Sequence, residues 1–228
     1  MARRPSPEPV AAETPDARRR RASTILRRLR AEYPLQCGLR HENPLQLLLA
    51  TILSAQCSDE MVNRVTPALF ARFPDAAAVA AAGQEEVEAL IGSLGLFRNK
   101  AKSLRGCCAL LVAEHGGEVP RTMRALVRLP GVARKTANVV LGTAFGIAAG
   151  VVVDTHVQRL SARLGLSDQT DPVRIERDLM ALLPRARWIE AGHALIWHGR
   201  RCCQARKAAC ERCPVADSCP RIGVGEGE

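Results

Sequence analysis

The stretch Leu129-Pro130-Gly131-Val132-Ala133-Arg134-Lys135-Thr136-Ala137-Asn138-Val139-Val140-Leu141 decides how this chain is read. Proline beside glycine punctuates two helical patterns, one expected over 122–129 and the other over 134–145. Two helices joined by so tight a turn read as a helix-hairpin-helix. A glycine-bearing turn at a helix start leaves backbone N–H groups unpaired and aimed outward, an arrangement that grips a phosphate without reading bases. Gly131, Ala133 and Arg134 are the expected contacts. An ordinary helix-turn-helix joint is the plainer alternative.

Lys135 follows the turn directly. Lysine is scarce here: Lys100, Lys102, Lys135 and Lys207 are the four among 33 basic residues. Arginine would serve for charge alone, whereas Schiff-base chemistry needs an amine that can lose its proton. A DNA backbone held by the turn would bring this amine near a sugar. A solvated or phosphate-contacting lysine explains the position equally well on local grounds.

Further along, Val151-Val152-Val153-Asp154-Thr155-His156 ends an extended apolar run and opens another helix. That places Asp154 at an N-cap, and capping alone accounts for an aspartate. A carboxylate could also stabilise an oxocarbenium-like sugar and help activate an amine or water. His156 and His198 read as structural.

Cys203, Cys210, Cys213 and Cys219 form C-x6-C-x2-C-x5-C. Four thiolates in loops of this length can wrap a 4Fe-4S cubane. Structural zinc is the alternative, although zinc sites more often use two short pairs and only Cys210 and Cys213 form one here. Cys202 reads as a spectator. The other cysteines, Cys37, Cys57, Cys107 and Cys108, fall in apolar helical patterns and are expected to be buried structural residues. Nine cysteines, an odd number, argue against a disulfide framework.

Outward from these motifs the chain is all-α. Helices are expected over 16–33, 45–53, 58–70, 75–82, 84–91, 99–115, 155–164, 173–183 and 187–198, besides the hairpin pair. Their joints carry Pro, Gly, Asp or Ser, and Asn43-Pro44 is a clear start signal. The length of 228 residues and 47% hydrophobic content suffice for a sizeable core. No stretch approaches the roughly 20 apolar residues of a membrane span, so a soluble, intracellular protein is expected. Of the net charge of +10, the first 30 residues supply +6 through nine arginines against Glu8, Glu13 and Asp16. DNA binding must therefore be argued from sites, not from overall charge. One Tyr, two Trp and four Phe are too few for stacked-base platforms, which excludes most single-strand binders.

Taken in order, Leu53-Ser54-Ala55-Gln56, Leu94-Gly95-Leu96-Phe97, the hairpin, Val153-Asp154-Thr155-His156, His198-Gly199-Arg200 and the four cysteines resemble the endonuclease III family of helix-hairpin-helix DNA glycosylases. The resemblance spans roughly residues 18–220. It implies two helical domains with a DNA cleft between them: a hairpin domain over 37–149, and a 4Fe-4S domain made of 17–36 and 150–220. A disordered basic tail (1–16) and a short tail (221–228) would flank them. It further implies base excision repair of oxidised pyrimidines, with Lys135 as the Schiff-base nucleophile, Asp154 required beside it, and strand cleavage 3′ to the abasic site by β-elimination. Gln56 and Leu96 would fill the gap left by a flipped nucleotide, an apolar wedge replacing lost stacking. The implied partner is damaged double-stranded DNA in the cytoplasm and nucleoid, bound by a monomer with no membrane involved.

Ala133 departs from the family, which usually has glycine there. A turn residue with positive φ would make alanine costly, and weaker phosphate binding is then expected. Rival readings are an adenine glycosylase of the same fold, which Lys135 opposes, a pyrimidine-dimer or mismatch glycosylase on the same scaffold, and a non-catalytic DNA-binding iron-sulfur module.

Overall fold

A computed structural model of the chain describes residues 13–225. Among them are eleven α-helices: α1 (Pro15–Glu32), α2 (Pro44–Leu53), α3 (Asp59–Arg72), α4 (Ala76–Ala81), α5 (Gln84–Ile91), α6 (Phe97–His115), α7 (Met123–Leu126), α8 (Arg134–Phe145), α9 (Thr155–Arg163), α10 (Pro172–Leu182) and α11 (Trp188–Arg201). No strand occurs among the described residues, only an isolated antiparallel bridge between Cys203 and Ala208. No described helix is long and apolar enough to cross a membrane. The protein is all-α, and its helices follow the local start signals. Thr14, Asn43, Ser58, Asp75, Thr122, Asp154 and Asp171 each accept a backbone N–H from the first turn of the helix they cap.

The chain divides into two compact units, Cys37–Ala149 and the combination of Met1–Gln36 with Gly150–Glu228. In the first, α6 is the spine. It buries Ala101, Leu104, Cys107, Cys108 and Leu111 at helical spacing against Val79, Val87 and Ile91 of α4 and α5. In the second, Ala22, Ile25, Leu26 and Leu29 follow the i, i+3, i+4, i+7 rule and pack on α10 and α11. Each such buried Leu or Ile contributes roughly 1.5–3 kcal/mol.

Three expectations change. The tail expected to reach residue 16 yields to an ordered helix start, with Thr14 capping α1 and Glu13 clamping the Arg21 guanidinium through both oxygens at 3.0 and 2.8 Å. Residues 1–12 and 226–228 of the expected tails lie outside the described residues. In the other expected tail, the Ile222 N–H donates to the Arg163 carbonyl at 3.1 Å. Finally, α11 continues past His198 to Arg201. Gly199 does not end it, because this glycine lies where α11 crosses α9: a Cβ there would come within 2.9 Å of the His156 Cβ.

Candidate functional site

In the Cys37–Ala149 unit, Leu129 to Val132 form the hairpin turn, closed by the Val132 N–H donating to the Leu129 carbonyl at 3.1 Å. Pro130 sets the first central position. Gly131 has φ +78°, as the second central position of a type II turn demands. The turn rests on α6: a Cβ on Gly131 would lie 2.9 Å from the Ser103 Cβ and 3.1 Å from Ile52 Cγ2, and one on Gly106 would lie 3.3 Å from Pro130. Proline and glycine thus let the chain lie flat on α6 and then enter α8.

The expected penalty at Ala133 is not found. This residue is the N-cap of α8 with φ −87° and ψ 172°, ordinary extended backbone. Its methyl is unstrained, and the glycine that the turn requires is Gly131. Ala133 offers no side-chain oxygen, so α8 begins without the side-chain cap that seven other helices have. Lys135, in the first turn of α8, is exposed, and no hydrogen bond or ion pair among the described residues engages its amine.

Gln56 and Leu96 share a conformation. Among the described residues three non-glycines have positive φ, and two of them are Gln56 (55°) and Leu96 (59°). A left-handed L-residue costs roughly 1–2 kcal/mol. Leu96 is also 56% exposed, the most exposed large apolar side chain described. Strain and an apolar side chain held in solvent are both unfavourable for folding, which points to a task outside the fold. The two loops are also tied together. The Lys100 N–H donates to the Leu96 carbonyl at 3.0 Å, and the Lys100 amine donates to Cys57 Sγ at 2.9 Å. Cys57 therefore differs from expectation: it sits half-buried in the bend between α2 and α3, outside any helix. Cys37 likewise lies in a loop, half-buried against the core, while Cys107 and Cys108 are fully buried on α6 as expected.

In the other unit, Asp154 caps α9, its Oδ1 accepting the Val157 N–H at 2.8 Å. Its carboxylate field also reaches His156 and Arg159. Burial holds His156 below its ordinary value, against the pull of Asp154. Arg159 donates to the carbonyls of Gly199 and Cys203, linking α9 to the end of α11.

Cys203, Cys210, Cys213 and Cys219 are all half-buried free thiols. Burial pushes the Cys219 thiol up, the Arg221 N–H offsets part of this, and the nearby Cys213, Cys203 and Cys210 push it further. Four thiolates cannot ionise side by side without a cation, and this donor set, free of carboxylates, suits a metal group. Donors already aim at the sulfurs: Arg163 at Cys203 (3.4 Å) and the Arg221 N–H at Cys219 (3.3 Å). The tightest grouping is a different one, with the ligand atoms of His198, Cys202 and Cys213 all within 4.8 Å of one another. His198 is held neutral by burial at about 4, between the Tyr33 hydroxyl (3.1 Å) and Cys213 (3.6 Å). We read this trio as the support behind Cys213.

Sequence reasoning missed the Lys100–Cys57 contact, although the rarity of lysine marked Lys100. It also missed the arginine donors to the sulfurs, for which no local signal exists.

Residues 49–185 match the HhH-GPD superfamily of base excision DNA repair proteins. The chain is 57% identical over 205 residues to endonuclease III of Synechocystis, covering 90% of this chain and 94% of that protein. It is 45% identical over 185 residues to endonuclease III of Bacillus subtilis, covering 81% and 84%. A solved structure of a trapped endonuclease III–DNA covalent intermediate superimposes with a TM-score of 0.84 at 41% identity, covering 88% of this chain and 95% of that one.

Proposed function

The chain belongs to the endonuclease III family of the HhH-GPD superfamily, and from that membership we propose that it removes oxidised pyrimidines from duplex DNA and cuts the strand through Lys135. It is a base excision repair enzyme, a DNA glycosylase and abasic-site lyase. The carrying observation is an exposed, unengaged lysine amine in the first turn of a helix that starts, without a side-chain cap, directly after a glycine hairpin.

The hairpin residues Gly131, Ala133 and Arg134 grip a backbone phosphate through this helix start. Leu96 and Gln56, projected from strained turns, fill the stack when the damaged nucleotide leaves it. The Lys135 amine attacks C1′ of the extruded deoxyribose as the glycosidic bond breaks, and the base departs with the bonding pair and takes a proton. Opening of the sugar ring leaves an imine between Nζ and C1′. Loss of a proton from C2′ then expels the 3′ phosphate, the β-elimination step, and water releases the lysine. Asp154 steadies the positive charge on the sugar and takes up a proton from the attacking amine. One of its oxygens is committed to the cap of α9, which leaves the second for this work.

Cys203, Cys210, Cys213 and Cys219 hold a 4Fe-4S cluster in this reading. Bound there, the cluster is a covalent cross-link that fixes a loop rich in Arg206 and Lys207 for phosphate contact. The protein should be brown, with iron and acid-labile sulfide in equal amounts. A colourless, zinc-loaded and fully active preparation would overturn this assignment.

Borohydride trapping on an abasic duplex tests the central claim. Wild type should give a covalent adduct that Lys135→Arg and Lys135→Ala do not, while both variants still bind DNA. Absence of an adduct with wild type refutes the lyase. A panel of lesion-bearing duplexes tests the substrate class, with thymine glycol expected to be cut faster than a pyrimidine dimer or a mismatch.

A further inference from the structure

Lys100 is 5% exposed, unlike Lys102 two residues along the same helix, which faces solvent. A buried amine needs a partner, since an ammonium stripped of water and left unpaired is strongly unfavourable. The partner given to Lys100 is the sulfur of Cys57 at 2.9 Å, and that sulfur is half-buried, within reach of a small solute. From this pairing we propose that Cys57 is a modification site, a thiol that peroxides oxidise reversibly to a sulfenic acid with Lys100 as the activating group.

The sulfur reacts as its anion, the nucleophilic form, and the Lys100 amine 2.9 Å away is placed to stabilise that anion. That sulfur attacks one oxygen of hydrogen peroxide. An S–O bond forms and the O–O bond breaks, and the sulfur gives up two electrons to the oxygen that leaves as hydroxide. The hydroxide takes up the proton that the thiol gave up and leaves as water, and Cys57 remains as a sulfenic acid beside Lys100. Reversal uses two equivalents of a small thiol: the first displaces water to give a mixed disulfide, and the second releases Cys57 and carries away the disulfide. Cys107 and Cys108 cannot compete, since both are fully buried and burial pushes the Cys108 thiol up to about 12. Cys37, half-buried like Cys57, serves as the internal reference.

The position gives the chemistry a consequence, one that rests on the DNA reading above. Cys57 follows Gln56, and Lys100 is bonded to Leu96 through its backbone. An oxygen inserted between sulfur and amine pushes on both gap-filling loops, so oxidised enzyme should grip damaged DNA more weakly.

The test treats full-length purified protein with hydrogen peroxide, at doses that leave its visible absorbance unchanged, and traps sulfenic acid with a dimedone probe read by peptide mass spectrometry. Cys57 should label about tenfold faster than Cys37. Lys100→Met, similar in volume, should abolish that advantage while Lys102→Met keeps it. Labelling of Cys57 no faster than Cys37 overturns the proposal, as does undiminished labelling in a folded Lys100→Met protein. Should Lys100→Met fail to fold, the Cys57 against Cys37 comparison in wild type decides alone. Affinity for an abasic duplex should fall several-fold on oxidation, return with dithiothreitol, and stay constant in Cys57→Ser. Selective labelling with unchanged affinity would leave the thiol chemistry standing and refute the DNA-contact role of the two loops.

Discussion

Replacing Gly131 by alanine should damage the protein, whereas replacing Ala133 by glycine should scarcely affect it. At Gly131 the backbone has φ +78°, which for an L-residue costs roughly 1–2 kcal/mol. The added Cβ would also sit 2.9 Å from the Ser103 Cβ and 3.1 Å from Ile52 Cγ2. Neither neighbour is the free end of a long side chain, so α6 or the turn must shift, at about 1–3 kcal/mol. Together these give about 2–5 kcal/mol, or a Tm lowered by roughly 4–20 °C for a chain of this size. At Ala133 the backbone is extended and no strain awaits relief. Glycine there loses about 0.4–1 kcal/mol through unfolded-state entropy and regains a similar amount because it is the better N-cap, leaving Tm within about 2 °C. Thermal unfolding followed by far-ultraviolet circular dichroism measures both, and titration with an abasic duplex should show weaker binding for Gly131→Ala alone. A Gly131→Ala protein as stable as wild type would refute the turn geometry. A clear rise in stability or DNA affinity for Ala133→Gly would restore the penalty that sequence comparison suggests.

Asp154→Asn keeps the N-cap of α9 and should leave stability within a few tenths of a kcal/mol, while Asp154→Ala should lose about 1 kcal/mol. Both should lose about 100-fold or more in lyase rate, and an active Asp154→Asn protein would reduce this residue to a cap. Leu96→Gly should be as stable as wild type or up to about 1 kcal/mol more so, since release of the left-handed strain outweighs the added chain entropy. Its strand-scission rate on a lesion duplex should nevertheless drop, and undiminished cutting would remove the wedge. Gly199→Ala should cost about 1–2 kcal/mol in chemical denaturation, where an open helical site would gain about 1 kcal/mol; a gain would mean that α9 and α11 do not cross so closely.

Much of this was legible because the chain marks its helices locally. Asn43-Pro44, Ser58 and Asp75 are caps that any reader can find, and the stripe of Ile25, Leu26 and Leu29 declares a buried face. What was not legible depends on contacts between distant segments. Gly199 looks like a stop signal until His156 is seen beneath it. Ala133 draws suspicion because φ at a turn cannot be read from residue type, and the left-handed residue proves to lie two positions earlier. Gln56 and Leu96 carry no propensity for the backbone they adopt, which only the folded chain reveals. Cys57 patterns as one more small core residue, because its lysine partner comes 43 positions later in sequence.

The unit that contains α1 is assembled from both ends of the chain, with Cys37–Ala149 inserted in its middle. During synthesis α1 leaves the ribosome long before α10 and α11, which carry the partners of Ile25, Leu26 and Leu29. At ordinary elongation rates the nascent helix waits on the order of 10 s for them. The inserted unit, whose core is contained in its own segment, can close in that interval. A message truncated after Ala149 would therefore release a folded hairpin domain trailing a sticky, arginine-studded helix, a product suited to capture by chaperones rather than to work on DNA.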